Sequence, residues 1–167
     1  MSDFANSSAA APSLLPLMAT YLRDLEKICS NPLSTPEISL RPTLFKALQE
    51  TQKALQTSVE IESSTGIHLD QTDFALKSSG VAMGYIEAEK VETDLDNLQG
   101  QSKIQNDAFI VPLDKFLLTN HYDFRIFDNG SIAAQFVLPQ NPEDLKLSDE
   151  ENWKNLFEKL FRVDGKL

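Results

Sequence analysis

Apolar positions in the first third of the chain recur at helical spacing. Between residues 14 and 29 they fall at Leu14, Leu15, Leu17, Met18, Tyr21, Leu22, Leu25 and Ile28, one face of an amphipathic helix. The segment SNPLSTPEIS follows with two prolines and reads as a loop. A second helix is expected to begin near Glu37 or Pro42 and to run through RPTLFKALQETQKAL, with Pro42 suited to a first turn. The period then changes to two. Val59 and Ile61, then Ile67 and Leu69, alternate with polar residues across an SSTG turn. TDFAL (72–76) and VAMGYIEAEKV (81–91) read as strands joined by KSSG, which gives a meander of three or four antiparallel strands. Residues 94–109 look helical in their second half, although Gly100 weakens the pattern. KFLLTN is a continuous apolar run, as a buried central strand would be, and YDFRIFD pairs with it. The turn signal Asp128-Asn129-Gly130 leads into the strand SIAAQFVL. In the last helix Ser148 and Glu151 fit a capping box, and Trp153, Leu156, Phe157, Leu160 and Phe161 form one stripe. The order is that of an α/β fold, a mixed central β-sheet flanked by helices, with a helix crossing between two of its strands.

The length of 167 residues suits one domain, here 14–167, after a disordered Ala/Ser-rich segment at 1–13. No apolar run approaches the ~18 residues of a membrane span, so no membrane partner is expected. The opening residues lack the charged flank and apolar stretch of a signal peptide. A single cysteine, Cys29, allows no internal disulfide and points to a reducing, cytoplasmic setting. The net charge of −10 argues against this domain gripping nucleic acid unaided, because phosphate contacts need Lys and Arg. It leaves room for a metal-dependent phosphodiester site, which is acidic by construction.

The chemistry-bearing feature is a set of carboxylates on the meander. Asp73 opens one strand, and Glu87 and Glu89 stand two apart on the next, so they share a face. Pairing around KSSG brings Asp73 towards Glu87. Mg²⁺ takes one or two carboxylates, waters and a substrate phosphate oxygen, and this set supplies that. A solvated hairpin face would look the same in sequence, so both readings stay open here. Lys90 faces the other side of the strand unless a bulge turns it inward.

Other chemistries have little support. His68 and His121 are far apart, and zinc needs a denser ligand set. His68 reads as an exposed strand residue; His121 interrupts LTN-YDF and either sits near the site or, the preferred reading, faces a turn. Cys29 has no nearby partner, which makes it a buried or loop thiol before a nucleophile. Gly-rich phosphate loops are absent, and Ser78-Ser79-Gly80 is a turn rather than a nucleophile elbow. Arg125 is expected to pair with a carboxylate rather than with a phosphate.

Five motifs, taken together, resemble a known family in its own order: TPEISLRPTLFKAL (35–48), DQTDFAL (70–76), GYIEAEK (84–90), QNDAF (105–109) and FLLTNHYDFRIFDNG (116–130). The sequence resembles the nuclease-like N-terminal region of adenine-specific DNA methyltransferases and of fused type I or type IIG restriction–modification enzymes. That region belongs to the PD-(D/E)xK, restriction-endonuclease-like superfamily. The resemblance spans about residues 35–138, and the last motif is its most specific part. It implies a Mg²⁺-dependent (or Mn²⁺-dependent) DNA endonuclease in a restriction or defence setting. Asp73 and Glu87 would hold the metal, supported by Glu37. Glu89, Lys90 and Gln105 would complete the catalytic set, and Thr119 and Asn120 would close the central strand. DNA would be bound with help from a basic partner domain, a methyltransferase or a specificity subunit.

The sequence departs from the pattern at Thr72 (for Pro), at Phe109 (for Tyr) and at Glu89, which stands where the lysine of (D/E)xK belongs. These 167 residues contain nothing of a methyltransferase, so the resemblance implies either a free-standing protein or an N-terminal portion. The competing expectation is a catalytically inactive module of the same fold that positions a partner methyltransferase or docks a protein through the Trp153–Phe161 stripe.

Overall fold

The middle of the sheet is the strand with no solvent-facing side. All five residues of Lys115–Thr119 are buried, as its unbroken apolar run predicts. The computed structural model describes residues 12–33, 36–63, 73–98 and 115–162, without the side chains of 36–38. Its elements are α1 (Leu15–Cys29), α2 (Pro36–Ala54), β1 (Glu60–Ser63), β2 (Phe74–Ser78), β3 (Val81–Ala88), β4 (Lys115–Thr119), β5 (Asp123–Asp128), β6 (Ser131–Val137) and α3 (Leu147–Phe161). A short 3₁₀ turn at Pro142–Asp144 precedes α3.

The six strands lie in sequence order, β1 to β6. β1, β2 and β3 pair antiparallel, and so do β4, β5 and β6. The two meanders join where β3 runs parallel to β4, Tyr85 opposite Phe116 and Glu87 opposite Leu118. Parallel neighbours require a crossover, and the chain between residues 88 and 115 provides it. The helix expected there falls largely outside the described residues, as do Ile67, His68 and Leu69. Both tight hairpins turn on two residues of positive φ, Ser79-Gly80 and Asn129-Gly130, the backbone that two-residue loops between twisted strands require.

Alternation within the strands sorts the core into two layers. Phe74, Leu76, Ile86, Leu117, Phe124, Ile126 and Phe136 face the helices. Met18, Tyr21, Leu22 and Leu25 of α1 meet them with Leu40, Leu44 and Leu48 of α2. The α3 stripe of Trp153, Leu156, Phe157, Leu160 and Phe161 is wholly buried there, each side chain contributing about 1.5–3 kcal/mol of transfer free energy. Trp153 Nε1 donates to Thr51 Oγ1 at 3.1 Å, and that hydroxyl donates to Ala47 O at 2.7 Å, so neither buried polar group is stranded. The stripe is therefore spent inside the molecule and offers no docking face. On the opposite layer Phe116 and Leu118 pack under Leu95, with Leu98, Tyr85 and Phe127 beside them.

Two local expectations are corrected. Pro42 lies inside α2, where it removes one backbone donor, because the helix already starts at Pro36. At α3 the cap is Lys146 rather than Ser148: its N–H donates to the Asp149 carboxylate at 2.8 Å. Glu150 reaches instead to the start of α1, accepting from the Ser13 hydroxyl and the Leu15 N–H. That is also the N-terminus at which an anion is favoured.

Candidate functional site

Open sheets with a parallel pair present their strand carboxyl ends to a common crevice. Here those ends are Glu87-Ala88 of β3 and Thr119 of β4. Asp73, just before β2, reaches the same end. Its N–H donates to Ile86 O at 3.0 Å, which fixes the backbone beside Glu87. Its carboxylate is buried and doubly engaged: Oδ2 accepts from Ala88 N at 2.7 Å, and Oδ1 meets Arg41 Nη2 at 2.7 Å. Burial outweighs both contacts and holds its pKa above the usual value.

Glu87 is the more strained partner electrostatically. Its Oε2 is buried without a hydrogen-bond partner among the described residues. Burial, then the charge of Asp73, then that of Glu89, push its pKa up to about 8, and Arg41 pulls the other way. Two neighbouring carboxylates thus act on Glu87, and the Arg41 guanidinium acts against them. Glu89 lies past the end of β3 and keeps the ladder going, its N–H donating to Thr119 O at 2.7 Å. The pairing stays regular through this end, since the register shift of β2–β3 lies at Leu76/Lys77. The bulge that would turn Lys90 inward is therefore absent from the described pairing, and Lys90 is exposed beyond the strand. The cation delivered to the carboxylates is Arg41 of α2 instead.

Thr119 and Asn120 close the end of β4 as expected, but through the backbone. Thr119 Oγ1 accepts from His121 N at 2.9 Å. Asn120 Oδ1 accepts from Tyr122 N and Asp123 N, and its amide donates to Thr93 O at 3.0 Å. This tight turn gives His121 a φ of +79°, a conformation that non-glycine residues rarely adopt. The Tyr21 hydroxyl donates to the His121 carbonyl at 2.9 Å. The imidazole is buried rather than turned to solvent, and Nδ1 has no partner among the described residues. Burial, with Arg41 adding to it, lowers its pKa to about 4, so it is neutral at pH 7.

The structure brings Asp73, Glu87 and Glu89 together. It leaves Lys90 outside, and the Glu37 side chain and Gln105 lie outside the described residues. Arg41 was missed as a site residue, and His121, preferred as turn-facing, is buried at this end of the sheet. Arg41 sits one helical turn after Glu37, a spacing that places both positions on one face of α2 and was available as a signal. No sequence signal marks His121 as buried. Arg125 forms the ion pairs expected of it, with Asp123 at 2.9 Å and Asp96 at 2.7 Å. Cys29 is exposed, and burial and then Glu92 push its thiol pKa up, the opposite of an activated nucleophile.

Among the described residues no group of three or more His, Cys, Asp or Glu is arranged to hold a metal ion. Mg²⁺ asks for less, one or two carboxylates with the remaining positions filled by water or phosphate. The orphaned Oε2 of Glu87 beside Asp73 fits that demand: two neighbouring carboxylates repel each other until a cation, or a proton, lies between them. No described helix is long and apolar enough to cross a membrane.

No family model matches the chain, and no curated protein matches it. Among solved structures, it is similar to a chain of a DrdV–DNA complex determined by cryo-electron microscopy, with a TM-score of 0.64 and 17% identity. The match covers 90% of this chain and 14% of that one. At this identity the likeness is one of fold.

Proposed function

We propose that this chain is a nuclease-like domain that hydrolyses DNA phosphodiesters with Mg²⁺ or Mn²⁺ in a restriction or defence setting. The observation that carries the reading is the Asp73–Glu87 pair at the carboxyl end of β3, Asp73 buried and Glu87 half-buried, with the buried Glu87 Oε2 unpartnered among the described residues. A fold like that of a protein captured on DNA supports it, as do the motifs of the resemblance. Bound between these carboxylates, a divalent ion would acidify a water and offset charge on a phosphate. Asp73 and Glu87 would hold it, and Glu87 would have to give up its proton, since metal ligands must be deprotonated. Glu89, in the place of the lysine, deepens the negative potential that attracts the ion. A net charge of −10 leaves most of the DNA affinity to a basic partner domain, a methyltransferase or a specificity subunit. A chain spanning 14% of its structural neighbour fits such an arrangement.

A second reading has its own observation. Both oxygens of Asp73 are already engaged, by Arg41 and by Ala88, and Glu89 replaces the lysine. This favours an inactive module that positions a catalytic partner. Calorimetry with Mg²⁺ and Mn²⁺ on wild type and Asp73→Ala, followed by plasmid cleavage on the same samples, separates the two. The nuclease reading expects binding and nicking, both lost in Asp73→Ala and in Glu87→Ala while circular dichroism is unchanged. Normal cutting by both variants sinks it. Binding without cutting selects the second reading, and no binding leaves the carboxylates as an internally paired face.

A further inference from the structure

Asp73 and Arg41 are an unequal pair. The carboxylate side chain is 4% exposed and the guanidinium 61%. A long, solvated side chain leans over the rim of α2 and places one terminal nitrogen on a buried oxygen. A guanidinium presents five donors in a planar fork, and this contact uses one nitrogen of it. Arg41 also acts on Glu87 and on His121, drawing the carboxyl pKa down and the imidazole pKa further down. It thus acts on three groups at this end of the sheet, and among the described residues one ion pair at the surface ties it there. Next to it, His121 is neutral and contributes no competing charge.

We propose that Arg41 is an exchangeable cation. In the metal-free protein it neutralises Asp73, and when a divalent ion takes Asp73 it turns outward and binds a non-bridging oxygen of the phosphodiester. This rests on the metal-dependent phosphodiester reading above and deepens it. Two positive groups cannot share Oδ1 closely without repelling each other, and the ion carries the higher charge. Released, the fork matches a phosphate in the bidentate manner that a single carboxylate oxygen does not use. No bond is made or broken in the exchange.

The test uses the full chain, with Mg²⁺ alone as one probe and a DNA duplex in Ca²⁺ at low ionic strength as another. Arg41→Met is expected to bind Mg²⁺ about fivefold or more tightly than wild type, the size of coupling typical of two ligands that exclude each other. Arg41→Lys, which keeps the charge, should bind it as wild type does. In the duplex titration Arg41→Met should flatten the slope of log affinity against log salt by about one, the signature of one lost phosphate contact. With ¹⁵N-arginine labelling, the signal that vanishes in Arg41→Met should shift on adding Mg²⁺ and shift again on adding duplex. In Asp73→Ala it should already lie near its Mg²⁺ position.

If wild type binds Mg²⁺ but Arg41→Met binds it equally or more weakly, or if the Arg41 signal does not move, the exchange is refuted while the metal site stands. An equal gain in Arg41→Lys and Arg41→Met assigns the effect to packing and also refutes it. An unchanged salt slope, or a wild type that ignores duplex in Ca²⁺, overturns the phosphate contact. Absence of Mg²⁺ binding in every variant overturns both the exchange and the reading beneath it.

Discussion

The molecule contains two arginine–carboxylate clusters built in opposite ways. At Arg125 the guanidinium is the buried member, 8% exposed, and its partners Asp123 and Asp96 lie nearer to water. Nε, Nη1 and Nη2 all donate, so the fork is filled. Asp123 supplies both oxygens to it and is braced further by Gln135. The arginine pKa rises, chiefly through the Asp123 hydrogen bonds. At Arg41 the arginine is exposed while Asp73 is buried and Glu87 half-buried. One nitrogen is engaged, Glu87 is left with an unpartnered oxygen, and the carboxyl pKa values rise. The first cluster is satisfied and holds β5 to the residues before β4. The second carries an unresolved negative surplus. An ion pair that completes its own hydrogen bonding supports the fold, whereas one that leaves a buried acceptor open invites a ligand.

Three perturbations put that contrast under load. The largest effect is expected at the satisfied cluster. Arg125→Met should lower the free energy of unfolding in urea by about 2–3 kcal/mol, since a buried, fully bonded charge loses its place and leaves Asp123 behind. A change within about 0.5 kcal/mol would show that the Arg125 cluster does not hold the fold.

Next comes Glu87→Gln, which should stabilise the protein. The folded pKa of Glu87, about 8, stands above the ordinary 4.5. Between those values the native state holds a proton that the unfolded state has lost. The Glu87 contribution to stability is therefore fully present below pH 4.5 and is lost as pH rises to about 8. The amide variant should flatten that decline and exceed wild type at pH 8. A wild-type profile that rises over this window would contradict the negative surplus at its source.

The smallest effect belongs to Arg41→Met in the absence of metal, less than about 1 kcal/mol, because an exposed guanidinium gives up little and Asp73 keeps the Ala88 N–H. Thermal melts of the two arginine variants side by side make the comparison directly. Equal losses would erase it.

Much of this was readable before any coordinates. α1, the α3 stripe and the hairpins follow from local periodicity and turn chemistry, and those signals survive folding because each element's buried face is set by its own spacing. The KSSG turn brings Asp73 towards Glu87 on paper, but the turn alone would set Asp73 across from Ile86; the register shift at Leu76/Lys77 puts Glu87 there. What escaped was tertiary. Arg41 reaches Asp73 from another layer, a geometry set by how α2 packs on the sheet. His121 is buried because the Asn120 side chain bonds the turn and Tyr21 holds its carbonyl, neither of which a lone histidine announces. The β3–β4 ladder stays in register to Ala88, so the described pairing holds no bulge of the kind that would turn Lys90 inward. Pro42 misled because a tolerated interior proline reads in sequence like a helix start.

The parallel seam between β3 and β4 has a kinetic consequence. Each meander is made of neighbours in the chain and closes short loops, whereas the seam waits on the long crossover, whose closure costs more entropy. Assembly should therefore proceed as two local units that meet last along Tyr85–Ala88 and Phe116–Thr119. The carboxylates and Arg41 belong to the first unit, Thr119 and His121 to the second. The seam between the two units is thus among the last features to exist during folding, and its backbone amides should be where hydrogen exchange first reports that the two units have parted.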